Sequence, residues 1–303
     1  MSSTLPAATP EAATAPDDML AALQGLRGEI DAIDDTLHDL LMRRGAVVAR
    51  VGELRQTGKI AFRPGREADI VRRLLARHAG PLPASGIVRL WRELFATSTS
   101  IQVGFAITVC ETSADGQCAA LAREHFGALT PLRVLRSPAQ AIAEVSAGRA
   151  IAAVLPMPVE KELPQAAWWT ALLHRDEPRI HVVARLPYWM PRPEGAPQVQ
   201  ALVVAASAPD RSLGDRSLLG LELPPDMSRA RLAAALATAG FTPDAILLRR
   251  AAGGQAAHGL IDVEGYVADD DARLPRLQGP LQRPVVLGAY AVPVGGQAGG
   301  ARP

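Results

Sequence analysis

Lysine is almost missing from this 303-residue chain: Lys59 and Lys161 stand against 30 arginines. Nearly every cation is therefore a planar guanidinium, a shape suited to forked contacts with carboxylates and not to compact ammonium chemistry. Cysteine is also scarce. Cys110 and Cys118 are too few for a disulfide scaffold and lack companions at metal-site spacing, so they are expected to be reduced, with no metal held. Aromatic residues make up only 4% of the chain, and neither Lys/Arg runs nor interleaved aromatics occur, which argues against nucleic acid as a partner. No apolar run reaches the roughly 20 residues that span a membrane. The first 16 residues lack both a basic start and an apolar centre, so they read as a disordered tail instead of a signal peptide, and the cytoplasm is the expected compartment.

What is present begins at Met19. Leu23, Leu26, Ile30, Ile33, Leu37, Leu41, Val48 and Val51 recur at spacings of three, four and seven, the period of one helical face. No proline interrupts before Pro64, so the spacing predicts a helix of about 35 residues, roughly 50 Å long at 1.5 Å per residue. Such a helix needs packing along its length, which implies a helical dimer or bundle. Further periodic stretches start at Arg66 (Ile70, Leu74, Leu75) and at Ser85 (Ile87, Leu90, Trp91, Leu94, Phe95), with breaks expected at 58–65 and 79–83.

Arg44 and Arg55 lie eleven positions apart, about 20° of helical rotation, so both leave the long helix on one side and can flank one anion. Arg27 is about 25 Å from Arg44 along a straight helix, too far to share that ligand within one chain, though another copy's helix could supply it. Pro64, Arg66 and Glu67 open the second helix, and Ser98 and Gln102, four apart, share a face of the third. Residues 19–102 carry 13 bases against 9 acids, a balance that suits a small dianion, while the whole chain is nearly neutral at +1.

Taken together, Leu26-Arg27, Ile33-Asp34, Arg43-Arg44, Val51-Gly52, Pro64, Arg66-Glu67, Ile87, Arg89-Leu90, Ser98 and Gln102 resemble the all-helical (type II) chorismate mutases over some 80 residues. The resemblance implies an intertwined helical homodimer that rearranges chorismate to prephenate without a cofactor. Arg44 and Arg66 would hold the two carboxylates with help from Ser98, and Arg27 would reach the partner's site. Glu67 would accept from the ring hydroxyl, and Gln102 and Arg55 would serve the ether oxygen. Arg55 stands where the family has lysine, and Arg63 where a member can carry an acid. The competing reading is a noncatalytic ligand-binding or regulatory protein derived from such an enzyme.

Beyond Gln102, short apolar runs (105–110, 133–135, 151–155, with 181–184 as a possible addition) alternate with helical stretches at 117–126 and 139–147, predicting a three-layer α/β lobe with parallel strands over 103–204. Its order resembles the first lobe of prephenate dehydratase. Met157, Pro158 and Val159 replace the polar part of one family stretch, and only the proline-rich 187–197 precedes a returning strand at 199–204, as though the second lobe were deleted, so no dehydratase activity is expected. Residues 205–294 read as strand (217–223), helix (229–239), strand (245–250), strand (258–267), helix (272–278) and strand (285–291). That βαββαβ order resembles an ACT domain whose ligand motifs have not survived. Residues 1–18 and 295–303 are expected to be tails, giving a multi-domain α and α+β chain.

Overall fold

The computed structural model describes residues 16–54, 62–102, 104–160, 162–163, 166–250, 257–277 and 282–295. Three helices come first: α1 (Pro16–Leu54), α2 (Pro64–Ala76) and α3 (Ala84–Gln102). The 39-residue α1 opens with Asp17 and Asp18 in its first turn, favourable against the helix dipole. Its far end packs on α3, but residues 17–43 are exposed all round. Leu23, Leu26, Ile30, Ile33, Leu37 and Leu40, each 40–60% exposed, form a stripe spaced alternately three and four residues apart. That 3.5-residue period is the seam of a left-handed coiled coil, and nothing in the single chain covers it.

The remaining elements are β1 (Ile107–Cys110), α4 (Gln117–Phe126), β2 (Leu132–Leu135), α5 (Pro138–Ser146), β3 (Ala152–Pro156), β4 (His181–Leu186), β5 (Ala201–Ala205), β6 (Asp215–Leu223), α6 (Arg229–Ala239), β7 (Pro243–Arg250), β8 (Ala257–Glu264) and β9 (Gln282–Ala291). All nine strands join one sheet in the order β2-β1-β3-β5-β4-β9-β6-β8-β7. In its first half β1 pairs in parallel with β2 and β3, but β5 is antiparallel to both β3 and β4. The expectation of a parallel lobe is corrected there: the chain leaves β4 and re-enters β5 at the same end of the sheet, without a crossover, and can only run back. Successive residues of β5 feed opposite cores, Ala201, Val203 and Ala205 toward α4, Leu202 and Val204 toward α5, which makes three layers.

In the second half the order β9-β6-β8-β7 is the antiparallel arrangement expected of βαββαβ, with α6 covering one face through Leu232 and Leu236. The helix expected at 272–278 is a single 3-10 turn, Leu274–Leu277. Pro275 removes a backbone donor, so the α pattern does not propagate.

The two halves meet where β4 pairs with β9 at Val182 and Gly288. A Cβ on Gly288 would lie 2.0 Å from the Val182 carbonyl oxygen, and its φ of +144° is open to glycine. A buried polar chain spans the same joint. Arg185 Nη1 donates to the Tyr290 hydroxyl (3.1 Å), which donates to Asp262, and Arg216 Nε donates to the other Asp262 oxygen (2.7 Å). Burial, with Asp262 adding to it, pushes the Tyr290 phenol up to about 12.

The helices are bolted to this sheet through α2. Arg72 donates to the Ser212 hydroxyl and to the carbonyls of Gly214 and Val292, Asp69 accepts from the Leu213 amide, and the Tyr188 hydroxyl donates to the Ala68 carbonyl. Ala68, Val71, Val88 and Phe95 pack with Tyr188 and Ala291 beneath these bonds.

Candidate functional site

The α1–α3 crossing is set by Gly52, since a Cβ there would meet the Gln102 side chain at 3.2 Å. This close approach brings half-buried Arg44 onto α3, where its Nη1 donates to Ser98 Oγ at 2.5 Å. Ser98 in turn donates to the Leu94 carbonyl one turn back, and Gln102 Nε2 donates to the Ser98 carbonyl at 3.3 Å. Burial lowers the Arg44 pKa, yet a guanidinium stays charged at any ordinary pH. Arg44, Ser98 and Gln102 thus form one cluster with a cation, a hydroxyl and an amide, a set able to grip a carboxylate and a neutral oxygen acceptor side by side. Arg44 also falls one heptad beyond Leu37, where the α1 seam ends and α3 covers it.

The other sequence-selected residues are placed differently. Arg27 is exposed far down α1, and Arg66 is exposed at the start of α2 with no side-chain partner among the described residues. Arg55 lies outside the described residues. Glu67, 12% exposed, receives Arg92 Nη1 at 2.9 Å. Burial pushes its carboxyl up to about 7, a rise that Arg92 opposes and Asp210 reinforces.

Two contributors escaped the sequence reading. Arg92 is 4% exposed, stacked 4.5 Å from the Tyr188 ring centroid and within 3.4 Å of His125 Nε2. Its position three residues before Phe95, on the apolar face of α3, was the available signal. Asp210 accepts from the Gly65 and Arg66 amides (3.1 and 3.0 Å) and from Arg63 Nε (3.2 Å), capping α2 from almost 150 residues away. The helix has no side-chain cap of its own, since Arg63 occupies the N-cap. No local pattern announces so remote an acceptor.

Residues 26–103 match the family model described as chorismate mutase type II. The bifunctional chorismate mutase/prephenate dehydratase of Neisseria gonorrhoeae is 36% identical over 104 residues, 33% of this chain and 27% of the relative. The enzyme of the same name from Stutzerimonas stutzeri is 25% identical over 142 residues, 45% of this chain and 38% of the relative. The chain thus matches about a third of the length of these curated relatives. Among solved structures, GqqA, described as a novel type of quorum quenching acylase, is 21% identical with a TM-score of 0.46, over 62% of this chain and 95% of that one. Prephenate dehydratase from Streptococcus mutans is 17% identical with a TM-score of 0.45, over 62% and 98%. Residues 26–103 therefore form a type II chorismate mutase domain.

Proposed function

We propose that the chain is a homodimeric chorismate mutase of aromatic amino acid biosynthesis, without dehydratase activity. The observation that carries this reading is the Arg44–Ser98–Gln102 cluster at the Gly52 crossing, inside a domain that matches the type II mutases. The uncovered leucine and isoleucine seam of α1 calls for a second copy, and a partner helix laid along it would carry its own Arg27 toward this cluster.

In this reading Arg44 and Arg66 take the two carboxylates of chorismate, and Ser98 orients the Arg44 fork. Gln102 donates to the ether oxygen beside Arg55, Glu67 accepts from the ring hydroxyl, and the partner's helix adds Arg27. The rearrangement is pericyclic and moves no proton, so rate acceleration comes from holding the folded conformer and from positive charge where the C–O bond breaks. The absence of dehydratase chemistry is supported by the short 187–200 connection between β4 and β5, where no second lobe is built, and by apolar Met157 and Pro158 after β3.

One observation favours the noncatalytic alternative: Glu67 Oε2 is already paired with Arg92, which leaves only Oε1 for a substrate hydroxyl. Following chorismate consumption and prephenate formation with purified protein separates the two. Saturable turnover supports the enzyme; chorismate binding with no conversion supports the alternative.

A further inference from the structure

A cavity of about 660 Å³ opens between α3, α4 and the proline-rich 187–197 segment, away from Arg44, Ser98 and Gln102. That volume falls within the range of small-molecule sites. Val88, Leu121, Leu186, Tyr188 and Trp189 give it an apolar, partly aromatic wall, and Arg92 and His125 line it as well. These two polar residues are only 4% and 8% exposed.

Both carry a buried donor that finds no acceptor. Every hydrogen bond of Arg92 runs through Nη1, to Glu67 and to His125 Nε2, while its Nε is buried without a partner. A guanidinium can only donate, so His125 Nε2 is the acceptor of that contact, and the ring proton must sit on Nδ1. His125 Nδ1 is likewise buried without a partner. A buried donor left unsatisfied costs about 1–3 kcal/mol, so an acceptor that reaches either one, with a shift of its side chain toward the cavity, is favoured.

Charge at the rim agrees with an anion. Arg192 is neutralised by a two-pronged bond to Glu124, and Arg89 has no acidic partner among the described residues. The other lining acids, Glu93 and Glu194, are exposed to water and so weigh less than buried Arg92, although Glu67 already balances part of its charge.

We propose that this cavity is a second ligand site, for a small aromatic carboxylate. The carboxylate oxygens accept from Arg92 and His125 Nδ1–H, and the ring lies against Tyr188 and Trp189. Calorimetric titration of the full chain with benzoate, and with benzyl alcohol as its uncharged counterpart, tests it. Two variants complete the experiment: Arg92→Gln, which removes the guanidinium, and Ala120→Trp, which fills the cavity from an exposed α4 position that tolerates bulk. The expected result is saturable benzoate binding, roughly tenfold or more tighter than benzyl alcohol and weakened at least about tenfold in each folded variant. If Arg92→Gln fails to fold, Ala120→Trp decides alone. Absence of saturable benzoate binding, or wild-type affinity in Ala120→Trp, overturns the proposal; the second outcome would place benzoate elsewhere, including at Arg44.

Discussion

At the scale of single residues, Arg44 and Glu67 make the sharpest demands. Arg44 is held by Ser98 on α3; if it grips a substrate carboxylate as proposed, Arg44→Ala removes a charge-assisted pair worth about 1.5 to 3 kcal/mol. The expected result is a fall in kcat/KM of roughly tenfold to a hundredfold or more, read by steady-state kinetics; unchanged kinetics would remove Arg44 from the site. Glu67 predicts a pH effect. Its carboxyl rises on folding from an ordinary 4.5 to about 7, so the folded state prefers it protonated. Its favourable contribution is fully present below about pH 4.5 and is lost as pH climbs through about 7. Denaturant unfolding should therefore show that Glu67→Gln gains on wild type between acidic and mildly alkaline pH, by on the order of a few kcal/mol. An identical pH slope in both proteins would refute this. His125, also buried, is held neutral with a pKa well below the usual 6.5 and acts in the opposite sense, but it is common to both proteins and cancels in the comparison. That Arg44, Ser98 and Gln102 lie on regular helices was legible from spacing, and the structure brings the three together. The Arg92–Glu67 pair was not, since it depends on how α2 and α3 rotate against each other.

At the scale of elements, α1 and α2 are stabilised by opposite means. The apolar seam of α1 has no cover within one chain, and each large apolar side chain brought out of water contributes about 1.5 to 3 kcal/mol when fully buried. Ile33→Asp sets a charge in the middle of that seam. Analytical ultracentrifugation is expected to find wild type as a dimer and this variant largely dissociated; a wild-type monomer would contradict the dimer directly. For α2, the remote cap predicts that Asp210→Ala lowers stability by about 0.5 to 2 kcal/mol, seen as a drop in Tm, because the Gly65 and Arg66 amides lose their acceptor. A Tm unchanged from wild type would show that water replaces the cap without cost. Apolar periodicity made α1, α2 and α3 readable in advance, and Gln117–Phe126 was read at its observed ends. The 3-10 turn at Leu274–Leu277 was misread as a helix because its apolar spacing was counted without weighing Pro275.

At the scale of the whole molecule, the strands of the two C-terminal regions were largely foreseen, but their union in one nine-stranded sheet was not. That union runs through the long-range pairing of β4 with β9 at Val182 and Gly288, which no local pattern encodes; only the glycine in 286–290 hinted at a close backbone approach. Gly288→Ala should cost roughly 3 kcal/mol or more, seen as a lower denaturation midpoint, since its Cβ has no room beside the Val182 carbonyl. Because α2 is fastened to the end of β9 through Arg72, the sheet also fixes the helix that carries Arg66 and Glu67. The proposed sharing of each site between two chains is tested most directly by complementation. Arg27→Ala and Arg44→Ala chains are each expected to be nearly inactive alone. After subunit exchange, half of the dimers are mixed, and each mixed dimer holds one site free of both changes. Chorismate turnover should then recover to about a quarter of the wild-type level. No recovery, once exchange has been verified by native mass spectrometry, would contradict a site built from two subunits.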